Sequence, residues 1–153
     1  NTISTTFLGC IKDTNSLVNG VIYRVSENDL KNTDKREKAY IRKLIEINIW
    51  VYINEFNTLD EMNKNFPIVQ SYVDLCINGC LEIEEKFEAA KQVNFTKMFI
   101  KSTVYWNNFW VNDRIYPRRP FIHCPNANMI DAYLKDFWKT PHYLIKFILN
   151  NLK

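Results

Sequence analysis

A chain of 153 residues, 46% hydrophobic and 14% aromatic, can bury one domain-sized core and has little room for two. Its 20 Lys and Arg against 17 Asp and Glu leave a net charge of +3, too mild an excess to argue for nucleic acid. Three glycines and two histidines exclude a glycine-rich phosphate loop, a dinucleotide fingerprint and a His-rich metal site.

The amino-terminal half reads as β. Thr2 to Cys10 is rich in β-branched residues, and Val18 to Val25 alternates around Val21, Tyr23 and Val25. Turn chemistry from Lys12 to Ser16 separates them. Ser26 then predicts a helix start, with Asp29 placed near the orphan amides and an end near Asp34 or Glu37. Tyr40 to Ile47 and Ile49 to Ile53 follow as two β-prone runs that suit a hairpin or a bent strand pair.

The carboxy-terminal half reads as helical. Pro67 suits a first turn, with Val69, Tyr72, Val73, Cys76 and Cys80 as the apolar stripe behind it. A second helix is expected over Phe87 to Thr103, with Phe95, Met98 and Phe99 facing the core. Tyr105 to Pro125 holds three of the five prolines and predicts mainly loop. Two last helices are expected over Asn126 to Trp138 and Pro141 to Leu152. The sum is one α+β domain spanning residues 1–153.

Cys10, Cys76, Cys80 and Cys124 do not have zinc-finger spacing and read as buried reduced thiols of a cytoplasmic protein. The sequon at Asn94 to Thr96 falls inside a helical pattern and reads as accidental. With no signal peptide and no long apolar run, no membrane segment is expected. Arg114, Arg118 and Arg119 with Trp110, Tyr116 and Phe121 form a basic-aromatic patch. It reads better as a proline-stiffened covering loop, its arginines paired to Asp113 or Glu82, than as a nucleic-acid surface. His123, Cys124 and Asp113 read better as packed residues than as a nucleophile set. The final helix, with Leu144, Ile145, Phe147 and Ile148, reads as a core or dimer contact rather than a membrane-surface helix.

The most specific stretch runs from Thr33 to Arg42. It sets Glu37 at the end of a short helix, just before a strand whose Tyr40 and Arg42 leave on one face. Read from the residues alone, the run Asp34 to Lys38 is a solvated charge cluster or, if enclosed, a proton-transfer carboxylate.

Asp34, Glu37, Tyr40 and Arg42 form a D-x-x-E-x-x-Y-x-R pattern that resembles the gamma-glutamylcyclotransferase-like proteins. Asn19 to Val25 is similar to that family's preceding strand, and Trp50 to Ile53 to its next one. Pro67 to Asp74 and Gly79 to Glu82 resemble its P-x-x-x-S-Y helix and the glycine after it. Trp110 to Arg114 with Tyr116 to Arg118 resembles the tail of one branch. The likeness therefore runs from about Phe7 to Arg118. The family's opening Y-G-S/T-L loop, which holds the substrate and the oxyanion, does not occur, so the chain is expected to begin partway into the domain.

The resemblance implies a small mixed β-barrel with packed helices. It also implies cyclisation of a gamma-glutamyl amine or peptide to 5-oxoproline, the chemistry of glutathione metabolism. Glu37 matches the catalytic acid/base, while Tyr40 and Tyr72 match substrate-binding positions. The partner implied is a small gamma-glutamyl compound, with no metal and no cofactor, because one carboxylate suffices for the proton transfer. The alternative is a non-catalytic binding or interaction module that keeps the fold.

Overall fold

The computed structural model describes residues 6–54, 66–104, 106, 109–115 and 124–135. The chain divides into two units, Leu8–Asp60 and a second made of Asn1–Phe7 with Glu61–Lys153.

In the first unit, helix α1 spans Glu27–Arg36. Ser26 caps it reciprocally: the Asp29 N–H donates to Ser26 Oγ at 3.1 Å, and that hydroxyl donates back to the Asp29 carboxylate at 2.6 Å. Glu27 and Asp29 in the first turn and Lys35 and Arg36 in the last complement the helix dipole. The helix closes where the Glu37 N–H meets Thr33 O, and a turn donating the Tyr40 N–H to Glu37 O starts the next strand. Strands β1 (Ile41–Glu46) and β2 (Ile49–Ile53) pair antiparallel, with Ile41 opposite Ile53 and Leu44 opposite Trp50. A register irregularity lies between Leu44 and Glu46, and Asn48 turns the chain at φ 61°, a conformation Asn tolerates well. Gly9 lies against the hairpin's end, where a Cβ would sit 2.0 Å from Asn54 Oδ1 while the Asn54 N–H donates to Cys10 O. A side chain at this position would require the Asn54 side chain to shift.

The second unit opens with strand β3, Ile68–Val69, parallel to β4, Trp110–Val111. Helices α2 (Gln70–Lys86), α3 (Glu88–Gln92), α4 (Phe95–Ser102) and α5 (Ala127–Leu134) supply most of the rest. Ile68, Val73, Ile77, Ile100, Trp110, Ile130 and Leu134 form its core. Trp106 stacks on Trp110 with centroids 5.8 Å apart.

Several sequence expectations hold: the Ser26 cap, the hairpin, and a carboxy-terminal half that is mainly helical. Others are corrected. The expected small β-barrel is not formed. Among the described residues the strands make two separate two-stranded sheets, and no barrel closes. Closure needs each strand paired on both sides, and a two-residue pair such as β3–β4 cannot supply that.

Residues 6–10 and 18–25 form no strand, and Val21, Ile22, Tyr23 and Val25 are exposed. Their alternation lacks a partner backbone, without which β-propensity has nothing to stabilise. Pro67 stands before β3 rather than in the first helical turn. The helix expected over Phe87 to Thr103 breaks into α3 and α4 at Asn94, which is left-handed at φ 52°. Within α4, Phe95 and Ile100 are buried and Met98 is exposed. The expected loop from Tyr105 to Pro125 contains β4. The Pro141 to Leu152 helix lies outside the described residues.

Ile130 is fully buried against this core, so Ile130→Ala should destabilise the protein by about 3 kcal/mol through transfer and cavity costs. Equilibrium urea unfolding measures the change.

Candidate functional site

The motif residues of the first unit build a helix-to-strand junction. Asp34, near the end of α1, accepts a 2.7 Å hydrogen bond from the Tyr52 hydroxyl on β2 and pairs with Arg42 on β1 at 3.3 Å. Arg42 in turn lies over the Trp50 ring, 4.8 Å from its centroid. Burial and the Asp34 carboxylate push the Tyr52 phenol above its ordinary range, so Tyr52 stays a proton donor to Asp34. The Tyr40 hydroxyl donates to Leu8 O at 3.4 Å, which ties the start of β1 to the chain ahead of α1.

Glu37 occupies the turn between these fixed groups. Its side chain is 28% exposed, and its Oε1 accepts a 2.8 Å hydrogen bond from Arg36 Nε, the adjacent residue. Among the described residues no hydrogen bond reaches its Oε2. The carboxylate is thus neither enclosed by a barrel nor fully solvated. It sits at a rigid junction with one oxygen engaged by a flexible neighbour.

The second unit holds the most highly connected polar cluster. Asp74 on α2 is 1% exposed and accepts from Gln70 Nε2 at 2.8 Å. It also takes a bidentate grip from Arg114, Nε to Oδ2 at 2.7 Å and Nη2 to Oδ1 at 2.8 Å. The other side of the guanidinium grips Asp131 on α5, through Nη1 at 3.0 Å and Nη2 at 2.8 Å. The Asp74 and Asp131 carboxylates hold the guanidinium pKa above its ordinary value, so Arg114 remains charged.

Asp113, one residue earlier, accepts the Ser71 N–H at 2.8 Å and the Ser71 hydroxyl at 2.6 Å. The helix's own N-cap, Val69, offers no side-chain cap, so Asp113 does this work from 42 residues away. Glu84 similarly accepts the Thr96 N–H at 2.8 Å, at the start of α4.

The expected site residues therefore fall in both units. Glu37 and Tyr40 share the first. Tyr72 belongs to α2 in the second, half-buried, in a T-shaped pair with Phe7 whose ring centroids are 5.4 Å apart. The pairing expected for the arginine patch is corrected: Arg114 binds Asp74 and Asp131, whereas Asp113 binds Ser71. Tyr116, Arg118, Arg119, Phe121 and His123 lie outside the described residues.

Cys124 is half-buried, accepts from Asn78 Nδ2 at 3.5 Å, and is pushed up in pKa by burial, the opposite of an activated nucleophile. The four cysteines are free thiols. Among the described residues no three His, Cys, Asp or Glu side chains group to hold a metal, and no helix is long and apolar enough to cross a membrane. Sequence reasoning missed the Asp74–Arg114–Asp131 network. The available signal was Asp74 itself, a charge one residue from Val73 on the apolar stripe of α2.

Removing Arg114 strands a buried carboxylate. Arg114→Met should therefore cost about 3 kcal/mol, whereas Asp131→Asn, at the more exposed end, should cost under about 1 kcal/mol. Paired urea titrations measure both.

Burial pushes the Cys80 thiol up to about 12 from 9.0. Between those values the folded state holds a proton that the unfolded chain has lost, so stability is fully present below about pH 9 and falls toward pH 12. The decline should be shallower in Cys80→Ala, as read by denaturation midpoints across that range.

Compared with known proteins, the chain matches no family model, no curated protein and no solved structure.

Proposed function

We propose that this chain is a gamma-glutamylcyclotransferase-type enzyme in which Glu37 is the general acid/base. The observation that carries this reading is the junction around Glu37. Asp34 and Arg42 are committed to contacts that fix α1 against β1 and β2, and Tyr40 to one that ties the start of β1 to the chain ahead of α1, while the Glu37 carboxylate keeps an oxygen free of hydrogen bonds among the described residues. Structural motif residues around one accessible carboxylate are the arrangement a proton-transfer group needs.

In the proposed reaction the substrate's own α-amine attacks its γ-carbonyl carbon. Glu37 takes a proton from the attacking nitrogen and the new C–N bond closes the five-membered lactam. The old amide C–N bond then breaks, and the same carboxyl returns its proton to the departing amine. Atoms and charge balance without a co-reactant, and attack within one molecule carries the advantage of proximity. Tyr40, which lies in the same unit as Glu37, is the proposed substrate contact. The working partner is a small gamma-glutamyl amine or peptide, and the proposed location is the cytoplasm.

A second reading, a non-catalytic interaction module, is favoured by one observation. Among residues 8–54 none is buried, and Leu17, Ile22, Tyr23 and Ile47 are more than 70% exposed. So much apolar surface suits a surface that is covered by something else.

Incubation with a panel of gamma-glutamyl amines and peptides, followed by assay of 5-oxoproline, separates the two. The enzyme reading expects release, and a fall of about two to four orders of magnitude in kcat/KM for Glu37→Gln, whose amide cannot accept the proton. Equal turnover in that variant removes Glu37 as the base. No release from any compound favours the interaction module.

A further inference from the structure

The hairpin of the first unit has two edges, and they are not alike. Strand β1 carries Arg42 and Lys43, and its register is irregular between Leu44 and Glu46. Charged side chains and bulges both keep an edge strand from pairing with another chain. Strand β2, Ile49-Trp50-Val51-Tyr52-Ile53, has neither protection: it is aliphatic and aromatic throughout, with no charge, glycine or proline. A strand of that composition is a template for a further strand wherever its outer edge is open.

Among the described residues that outer edge is open. The one strand paired with β2 there is β1. Just past the strand, the Asn54 N–H points away from β1 and donates to Cys10 O at 2.8 Å. Backbone groups alternate in direction along a strand, so Tyr52 and Trp50 present their N–H and C=O groups to that same outer side. No backbone bond from another described segment reaches either residue. Trp50 is 45% exposed, and Leu44, Ile45 and Ile47 of the same hairpin are half exposed or more.

We propose that this edge pairs with the same edge of a second copy of the chain, β2 running antiparallel to β2 about a two-fold axis at Val51. The register follows from which backbone groups face outward. An axis at Val51 sets Trp50 of each copy opposite Tyr52 of the other, and each of those two pairs closes a pair of backbone hydrogen bonds. The ladder stops at Asn54, whose N–H is already committed to Cys10. The side chains suit the same register: Trp50 meets Tyr52 across the axis, Ile49 meets Ile53, and Val51 meets itself. No like charges are opposed, because β2 has none, whereas β1 paired with β1 would bring Arg42 and Lys43 of two copies together. Charge therefore selects β2 as the self-pairing edge. A two-fold contact is self-complementary and closes on itself, so the product is a dimer and not a fibre. The inference does not depend on the reaction proposed for Glu37: Tyr52 keeps its hydroxyl bond to Asp34, and association is read by mass rather than by product.

Sedimentation equilibrium of the full chain between about 1 and about 300 µM should show the mass rising from one chain to two and no further. Val51→Glu leaves the hairpin a favourable pair, since Lys43 lies opposite position 51 within it, but opposes two carboxylates across the axis. It should weaken dimerisation at least about tenfold. Val51→Lys should weaken it likewise, and an equimolar mixture of the two variants should recover a two-chain species. Only a contact that sets position 51 against itself predicts that recovery. A second readout needs no variant: the Trp50 and Tyr52 amides should exchange with solvent at least about tenfold more slowly at the top of the concentration range than at the bottom. A single-chain mass throughout overturns the inference and leaves the edge to another segment or another protein. Growth beyond two chains, a dimer that Val51→Glu leaves intact, a mixture that stays monomeric, or amide exchange indifferent to concentration overturns it as well.

Discussion

The second unit turns on a carboxylate that has been taken out of water. Desolvating an ion costs several kcal/mol, and Asp74 at 1% exposure meets most of that cost. The offset comes from three hydrogen bonds, one from Gln70 a helical turn before it and two from the Arg114 fork. Coulomb attraction alone would be indifferent to direction, but a bidentate fork is not. Arg114 can satisfy Asp74 only if the exit of β4 lies at a fixed height on α2. Its remaining edge then selects where Asp131, and with it α5, must sit. One guanidinium thus fixes three elements around the apolar core that Ile77, Ile130 and Leu134 fill.

The same logic governs how the helices start. Neither α2 nor α4 is capped by its own N-cap side chain; Asp113 and Glu84 supply the carboxylates instead. A local cap stabilises a helix before the rest of the fold exists, whereas a distant one acts only once the tertiary structure has formed. These helices therefore gain their amino-terminal satisfaction together with the core, which favours all-or-none folding of that unit. It also means that the first turn of α2 is satisfied by Asp113, beyond β4, rather than by its own sequence.

How much of this was legible in the sequence follows the distance over which each contact acts. Ser26 and Asp29 are three residues apart, and the cap was readable as such. The hairpin was readable because β1 and β2 are adjacent in the chain. The two-residue strands β3 and β4 were not, since their pairing joins Ile68 to Trp110 and leaves no periodic trace. The Phe87 to Thr103 pattern looked continuous because helical spacing survives the interruption. The left-handed residue Asn94 divides it into two helices, and within α4 Met98 lies off the face that Phe95, Thr96 and Ile100 bury. The barrel expected from the family likeness failed for a related reason. A likeness of motifs concerns local junctions, and closure of a sheet depends on partners elsewhere in the chain.

The candidate carboxylate belongs to the legible class. Asp34, Arg42 and Tyr52 lie within 18 residues of one another, and their contacts set the turn in which Glu37 stands. A junction made from near neighbours can hold its shape with little help from a distant core, which suits a unit whose described residues are all at least partly exposed. Such a junction fixes where the carboxylate is but does little to exclude water from it. On the proposed reading, rate acceleration must therefore draw mainly on proximity within the substrate and on the placing of a base, rather than on a dry cavity that strengthens every charge. That division makes the orientation of the substrate the dominant demand on the protein.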